Sequence, residues 1–224
     1  MISTLICFAL KEEAAPFQKI AGGLHRSHHI LLTGIGRANA EKSLREFLSK
    51  NSPELVLTCG FAGGLNPELK LGDVFFETPL SPLSGERVAK PGEGNLISKL
   101  ISVGAKPAKF FCADRITTTV AEKQKLREQT GADVVEMESA TIHAVCAEKK
   151  ILCATVRVIS DTAHEDLPLD FNTLAKPDKN LDFSKLVWAI AKSPGKISAL
   201  IKLRKQTKFA AERLAVVLEK IVFP

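Results

Sequence analysis

Short apolar runs and segments of helical period take turns along almost the whole chain, and no feature of the sequence limits the fold more. Strand-like runs fall at 2–9, 29–33, 54–59, 73–77, 108–113, 133–135 and 151–160. Between them, 38–49, 121–128 and 137–149 repeat apolar positions at helical spacing, and two further helices are expected at 183–191 and 196–221 around the Ser193-Pro194-Gly195 break. Strands separated by helices of this length imply an α/β fold, a sheet whose crossover helices cover its faces.

A chain of 224 residues with 45% hydrophobic and 25% charged residues can bury a full core. The sequence has no Gly/Ser/Pro-rich linker and no fixed-period repeat, so 1–224 reads as one domain. MISTLICFAL lacks a basic flank and a cleavage site, and it reads as a buried first strand. No run approaches the roughly 20 apolar residues of a membrane span, so a soluble chain is expected. Cys7, Cys59, Cys112, Cys146 and Cys153 include no CxxC pair, and four of them lie in apolar strand-like runs. Reduced, packed cysteines in the cytoplasm follow from that pattern. From Phe183 to Pro224, nine Lys/Arg stand against two acids, a basic helical C-terminal extension on a near-neutral body. Its aromatics sit among apolar neighbours rather than between the basic residues. That speaks against nucleic acid and for a solvated helix face, with weak peripheral contact to a membrane as the alternative.

Three turns stand at strand ends, where open α/β sheets bind ligands. TGIGRANA carries Gly34 and Gly36, CGFAGGLNPELKLGD carries Gly60, Gly63 and Gly64, and VVEMESA carries Glu136 and Glu138. The first lacks the third glycine of a dinucleotide fingerprint and the second lacks the Lys-Ser/Thr of a P-loop. Adjacent acids at a strand-to-helix junction point in different directions, so one of Glu136 and Glu138 is expected to enter a site. Each acid alone has an ordinary structural reading: Glu12-Glu13 as a helix start, an acid of Glu136-Met137-Glu138 as a first-turn stabiliser, Asp161 as a cap. Three acids at three separate strand ends, with glycine turns between them, suit the cleavage of a nucleoside. That reaction needs an acid for the departing base, a group for the ribose hydroxyls and a base for the nucleophile. His28 and His29 are neighbours in a strand and so face opposite ways, and His143 and His164 have no partner at ligand spacing; no metal is implied.

TGIGRANA, GFAGGLNPELKLGD, VVEMESATIHAVC and VRVISDTA together resemble the nucleoside phosphorylase/nucleosidase family, and in particular its bacterial 5′-methylthioadenosine/S-adenosylhomocysteine nucleosidases. The resemblance runs from the first strand to about Ala163. It implies a three-layer α/β/α fold on a central mixed sheet, a homodimer or higher homo-oligomer, and a purine nucleoside as substrate. It also assigns roles. Glu13 falls on the glutamate that activates water, Glu138 on the residue that binds the ribose hydroxyls, and Met137 on the residue packed under the sugar. Asp161 falls on the acid that protonates the purine at N7, with Ser160 as its hydrogen-bonding neighbour. Ile116 and Thr117 occupy the segment that brackets the base with an aromatic residue and a backbone amide; that aromatic is missing here. Phe61 stands where a serine or threonine follows Gly60. The C-terminal third resembles the hopanoid-associated phosphorylases, which act on an adenosine with a large 5′ lipid and tolerate an apolar residue at the Phe61 position.

The resemblance covers hydrolases and phosphorylases, and the charge pattern favours water. Many phosphorylases carry an arginine two residues before the first glycine of the GxxGG segment, and this chain has Thr58 there. Arg37 and Arg115 remain as partners for inorganic phosphate if the reaction is phosphorolytic. No other cofactor is expected.

Overall fold

A computed structural model describes residues 3–22, 28–77, 93–174 and 194–223. Among these residues, β1 (Thr4–Phe8), β2 (His28–Leu32), β3 (Leu55–Gly64), β4 (Val74–Glu77), β5 (Lys106–Pro107), β6 (Phe110–Cys112), β7 (Val134–Glu136) and β8 (Leu152–Asp161) form one sheet. Its main order is β2-β1-β3-β8-β4-β5. β1, β2, β3 and β8 run parallel, β4 is antiparallel to β8, and β7 pairs antiparallel with the last residues of β3 while carrying β6 on its other side.

Alternation along β1 sets the layers. Leu5 and Cys7 pack with Ala40 and Leu44 of α2 (Arg37–Leu48) and with Ile142 and Cys146 of α5 (Ser139–Glu148). Ile6 and Phe8 belong to the opposite face, with Phe17 of α1 (Lys11–Ala21), Leu100 of α3 (Glu93–Ser102) and Leu214 of α7 (Ile197–Val222). Helices on both faces of a mixed sheet give the three-layer α/β/α architecture that the sequence implied. Fully burying side chains such as Phe17, Leu44 or Leu214 contributes roughly 1.5–3 kcal/mol each, and these contacts hold the layers together.

The remaining helices are α4 (Val120–Thr130) and the short α6 (Phe171–Leu174). The expected helix at 183–191 lies outside the described residues. α7 is more than a surface appendage, because Ala210, Ala211, Leu214, Ala215, Leu218 and Ile221 are core residues. Its outer half exposes Ile197 and Ile201 beside Lys202, Arg204 and Lys205. No helix among the described residues is long and apolar enough to cross a membrane.

Several local outcomes differ from the sequence pattern. α1 forms despite Pro16 in its middle, and α3 was not evident from periodicity. The strand expected at 108–113 is found as the shorter β6, and the two-residue β5 just before it pairs with a different partner. The segment CGFAGG is the end of β3, not a turn after it: β8 flanks it on one side, and β7 pairs with Gly63 and Gly64 on the other. Glycine is tolerated in a strand where neighbouring groups must come close. β8 likewise runs one residue further than expected. Ala62 pairs with Ile159 but Gly63 pairs with Asp161, so Ser160 is an extra residue in β8. Such a bulge re-aims the side chains around it.

Candidate active site

The ends of β1, β3, β7 and β8 converge: Glu13 follows β1, Glu136 and Glu138 stand at the end of β7, Arg157 and Asp161 lie on β8, and the glycines of β3 run between them. Glu13 lies in the first turn of α1, immediately after β1. Its Oε2 accepts the Leu10 N–H at 2.9 Å, and its Oε1 accepts the Phe61 N–H of β3 at 2.8 Å. Two backbone donors therefore aim the carboxylate at the end of β3. A Cβ on Gly60 would lie 2.6 Å from Glu13 Oε1 and 2.7 Å from Arg157 Nη1. Only glycine lets both charged ends approach the strand this closely.

Arg157 is the centre of the site, and the sequence reading passed over it. It is 1% exposed and projects from β8. Its Nη2 donates to Glu136 Oε2 at 2.6 Å, to Glu138 Oε2 at 3.3 Å and to Thr58 Oγ1 at 3.3 Å. Its Nε is buried without a hydrogen-bond partner. The signal available was the residue itself: an arginine inside the apolar run ILCATVRVIS must be buried against an acid, because an unpaired buried charge is too costly.

Glu136 and Glu138 do not point apart as expected; both reach this guanidinium. They differ in their other bonds. Glu136 Oε2 also accepts the Glu138 and Ser139 N–H groups at 3.0 and 2.8 Å, and Oε1 accepts Ser139 Oγ at 2.6 Å. Glu136 thus caps the start of α5, where a negative charge is favoured. Glu138 Oε1 accepts the Gly36 N–H at 2.7 Å, which ties the TGIGRANA turn to the site. Gly34 and Gly36 take φ of 80° and 84° in that turn, a region open to glycine.

Three carboxylates around one guanidinium cannot all ionise at little cost. Burial raises the Glu13 pKa, against the pull of Arg157 and the backbone donors. Burial and the charges of Glu136 and Glu13 push Glu138 up to about 7, although Arg157 and the Gly36 N–H oppose them. Glu136 is the exception: burial would raise it, but Arg157, Ser139 and the two α5 N–H groups hold it below its ordinary value.

Asp161 stands at the far end of this row. Its Oδ1 accepts Ser160 Oγ at 2.8 Å, and a Cβ on Gly63 would lie 3.3 Å from its Oδ2. Gly60 and Gly63 therefore mark two stations along β3, one beside Glu13 and Arg157, the other beside Asp161. Ile116 is already engaged: its N–H donates to Asn172 Oδ1 at 2.8 Å, and Asn172 Nδ2 donates to its carbonyl at 2.9 Å. Thr117, Met137 and Phe61 are half-buried, and Phe61 packs against the α1 core. Arg37 turns to the Cys112 carbonyl and to Asp114 at 3.3 Å, and Arg115 to Glu122 at 2.5 Å. Neither pairs with the Glu13, Glu136 and Glu138 group. Among the described residues, no three His, Cys, Asp or Glu side chains are grouped so as to hold a metal ion.

The family model described as the phosphorylase superfamily matches residues 101–192, which span α4, β7, α5, β8 and Asp161. Over that stretch the chain is similar to the phosphorylase superfamily. Among curated relatives, an aminodeoxyfutalosine nucleosidase of Campylobacter jejuni is 27% identical over 170 residues, covering 66% of this chain and 74% of the relative. A 5′-methylthioadenosine/S-adenosylhomocysteine nucleosidase of Staphylococcus aureus is 25% identical, covering 72% and 81%. The fold is matched by the crystal structure of a Helicobacter pylori 5′-methylthioadenosine/S-adenosylhomocysteine nucleosidase with butyl-thio-DADMe-Immucillin-A. That match has a TM-score of 0.70 at 18% identity, over 99% of this chain and 98% of that one.

Proposed function

We propose that the protein hydrolyses the N-glycosidic bond of a 5′-modified adenosine, such as 5′-methylthioadenosine or S-adenosylhomocysteine, and releases adenine. The observation that carries this reading is the row of buried charged groups along β3: Glu13 and Arg157 at Gly60, Glu138 bonded to the Gly36 N–H, and Asp161 at Gly63. The order matches the parts of the substrate. Asp161 would donate a proton to the base at N7, held in line by Ser160. Glu138 would accept hydrogen bonds from the ribose hydroxyls over Met137, while Glu136 holds α5 and Arg157 in place. Glu13 would take a proton from water as it attacks C1′. Protonating the leaving base and deprotonating the nucleophile act on the two ends of the bond being exchanged, and each contributes typically 10²–10⁴-fold.

Arg157 supports water over phosphate as the nucleophile. It is the arginine nearest the attacking end, but Glu136 already engages it at 2.6 Å and Glu138 and Glu13 also draw on its charge. A phosphate dianion there would have to compete with those carboxylates for it. Arg37 and Arg115, the other candidates, are paired with Asp114 and Glu122. Water needs no cation and can give its proton to Glu13.

The aromatic missing beside Ile116 and the Asn172 bond to its backbone bear on base recognition. The Asn172 carboxamide offers the same acceptor and donor pair as the N1 and N6 edge of adenine. For Ile116 to read the base, Asn172 must give way, and α6 would move with it. We take the enzyme to work in the cytoplasm as a homodimer or higher homo-oligomer, without a metal or organic cofactor. Adenine release from 5′-methylthioadenosine, followed by liquid chromatography, tests the reading; absence of release from every 5′-modified adenosine would overturn it.

A further inference from the structure

Asp161 has a partner that the mechanism above leaves unused. Lys123, in the first turns of α4, is fully buried, and its Nζ lies 2.6 Å from Asp161 Oδ2, 2.7 Å from the Thr162 carbonyl and 2.9 Å from the Glu165 carbonyl. An ammonium has three N–H donors, and all three are spent on five consecutive residues. The neighbouring acids are engaged elsewhere: the Glu165 carboxylate with Lys202 at 2.6 Å and Gln206 at 3.0 Å, and Asp166 with the Val120 N–H at 2.6 Å. Within the pair, the lysine faces a single carboxylate.

Burying an ammonium is costly, and a leucine at this place could pack the same space without that cost. What lysine adds is a charge and a proton, set against the carboxylate at the base end of the site. An aspartate paired this closely with a lysine rests as the carboxylate, which has no proton to give. Yet the reading of Asp161 as the general acid requires one.

We propose that Lys123 is the positioning residue for Asp161 and the store of the proton that Asp161 delivers. The resting pair is Lys123 ammonium and Asp161 carboxylate. As the C1′–N9 bond breaks, its electron pair passes into the base. One proton then moves from Lys123 Nζ to the Asp161 carboxylate, and from there to the base nitrogen. Lys123 is left as the neutral amine. The proton that water gives up to Glu13 balances the one lost here, and exchange with solvent restores both groups. The same three bonds fix the backbone from Asp161 to Glu165, so that the carboxylate cannot swing away as the base leaves.

This inference rests on the proposed hydrolysis, and its test separates the two. Lys123→Met and Lys123→Gln are compared with Asp161→Asn on 5′-methylthioadenosine and on a 4-nitrophenyl riboside, whose phenolate leaves without a proton. Near-ultraviolet circular dichroism confirms that each variant is folded. Both lysine variants should lose roughly 10²–10⁴-fold in kcat on the nucleoside. On the nitrophenyl riboside the loss should shrink to within about tenfold, and Lys123→Met combined with Asp161→Asn should be little worse than either alone. In the unaltered enzyme, which answers even if the variants do not fold, the solvent deuterium isotope effect on kcat should be larger for the nucleoside than for the nitrophenyl riboside. Full nucleoside activity in a lysine variant, equal losses on both substrates, or equal isotope effects on both would overturn the proposal. An unaltered enzyme that releases no base would instead remove the function itself.

Discussion

Removing Arg157 is the sharpest single perturbation of the site. In Arg157→Met, the side chain of Glu136 stays buried and capping α5, but its nearest positive charge, 2.6 Å away, is gone. Breaking a buried pair from one side costs about 3–5 kcal/mol. For a domain of this size each kcal/mol lowers Tm by roughly 2–4 °C, so a fall of about 6–20 °C is expected. The pH dependence fixes the cause. In the unaltered protein the Glu136 pKa is depressed, so its contribution is complete above the ordinary carboxylate value of about 4.3 and is lost as pH falls through the lower folded value. Without Arg157, burial dominates and the folded pKa lies above that value. Its contribution is then present at low pH and lost as pH rises. The stability gap between the two proteins, measured by thermal melts from pH 4 to pH 8, should therefore be widest near neutrality and narrow towards pH 4. A gap under about 1 kcal/mol at pH 7, well below the cost of an unpaired buried charge, would refute the assignment of Arg157 as the charge that holds the acids together. So would a gap independent of pH.

Asp161→Asn should keep the fold and lower kcat on a purine nucleoside by roughly 10²–10⁴, as read by adenine release. Glu138→Gln should reduce kcat/KM steeply on ribosides and less on the 2′- or 3′-deoxy substrate that lacks the hydroxyl it contacts, since bonds to a charged group are worth about 1.5–3 kcal/mol; equal losses would make Glu138 structural. Because the folded Glu138 pKa is pushed up to about 7 and that of Glu13 is also raised, and both must be ionised to act, kcat/KM should climb as pH rises through neutrality. A profile flat from pH 5 to pH 8 would contradict these roles. If the exposed half of α7 touches a membrane, binding to anionic vesicles should appear at low salt and fade as ionic strength rises, and its absence at all salt concentrations would leave α7 as a packing helix.

Much of the layered fold could be read in the sequence because it depends on periodicity. The alternation in TLICF places Leu5 and Cys7 on one face and Ile6 and Phe8 on the other, and the apolar rows of α2, α5 and α7 have only those faces to cover. Where the reading went astray, tertiary contacts overrode the local signal. Glycines mark a turn on their own, but Gly60, Gly63 and Gly64 lie in a strand because β7, β8, Glu13 and Arg157 all press against it. Pro16 argues against a helix interior, yet packing against α7 and the sheet outweighs its missing N–H. The acids were visible at strand ends; that Glu13, Glu136 and Glu138 gather around one guanidinium while Asp161 pairs with Lys123 was not. Arg157 could have been found, since a charge in the middle of a buried strand demands a partner. Lys123 could not, because in AEKQKLRE nothing separates it from Lys125 before the helix is docked on the loop that follows β8. Asn172 was equally hidden, as its pairing with Ile116 spans 56 residues of chain.

The central claim is that water, not phosphate, attacks C1′. It is tested most directly by incubating the enzyme with 5′-methylthioadenosine in phosphate-free buffer made with ¹⁸O-water, and weighing the sugar product by mass spectrometry. Hydrolysis as described here gives free 5-methylthioribose carrying one ¹⁸O at C1, and Glu13→Gln gives far less of it. A reaction that stalls until phosphate is added and then yields a ribose 1-phosphate would contradict the account, and would require an anion site that Arg157, already engaged by Glu136 and Glu138, does not provide.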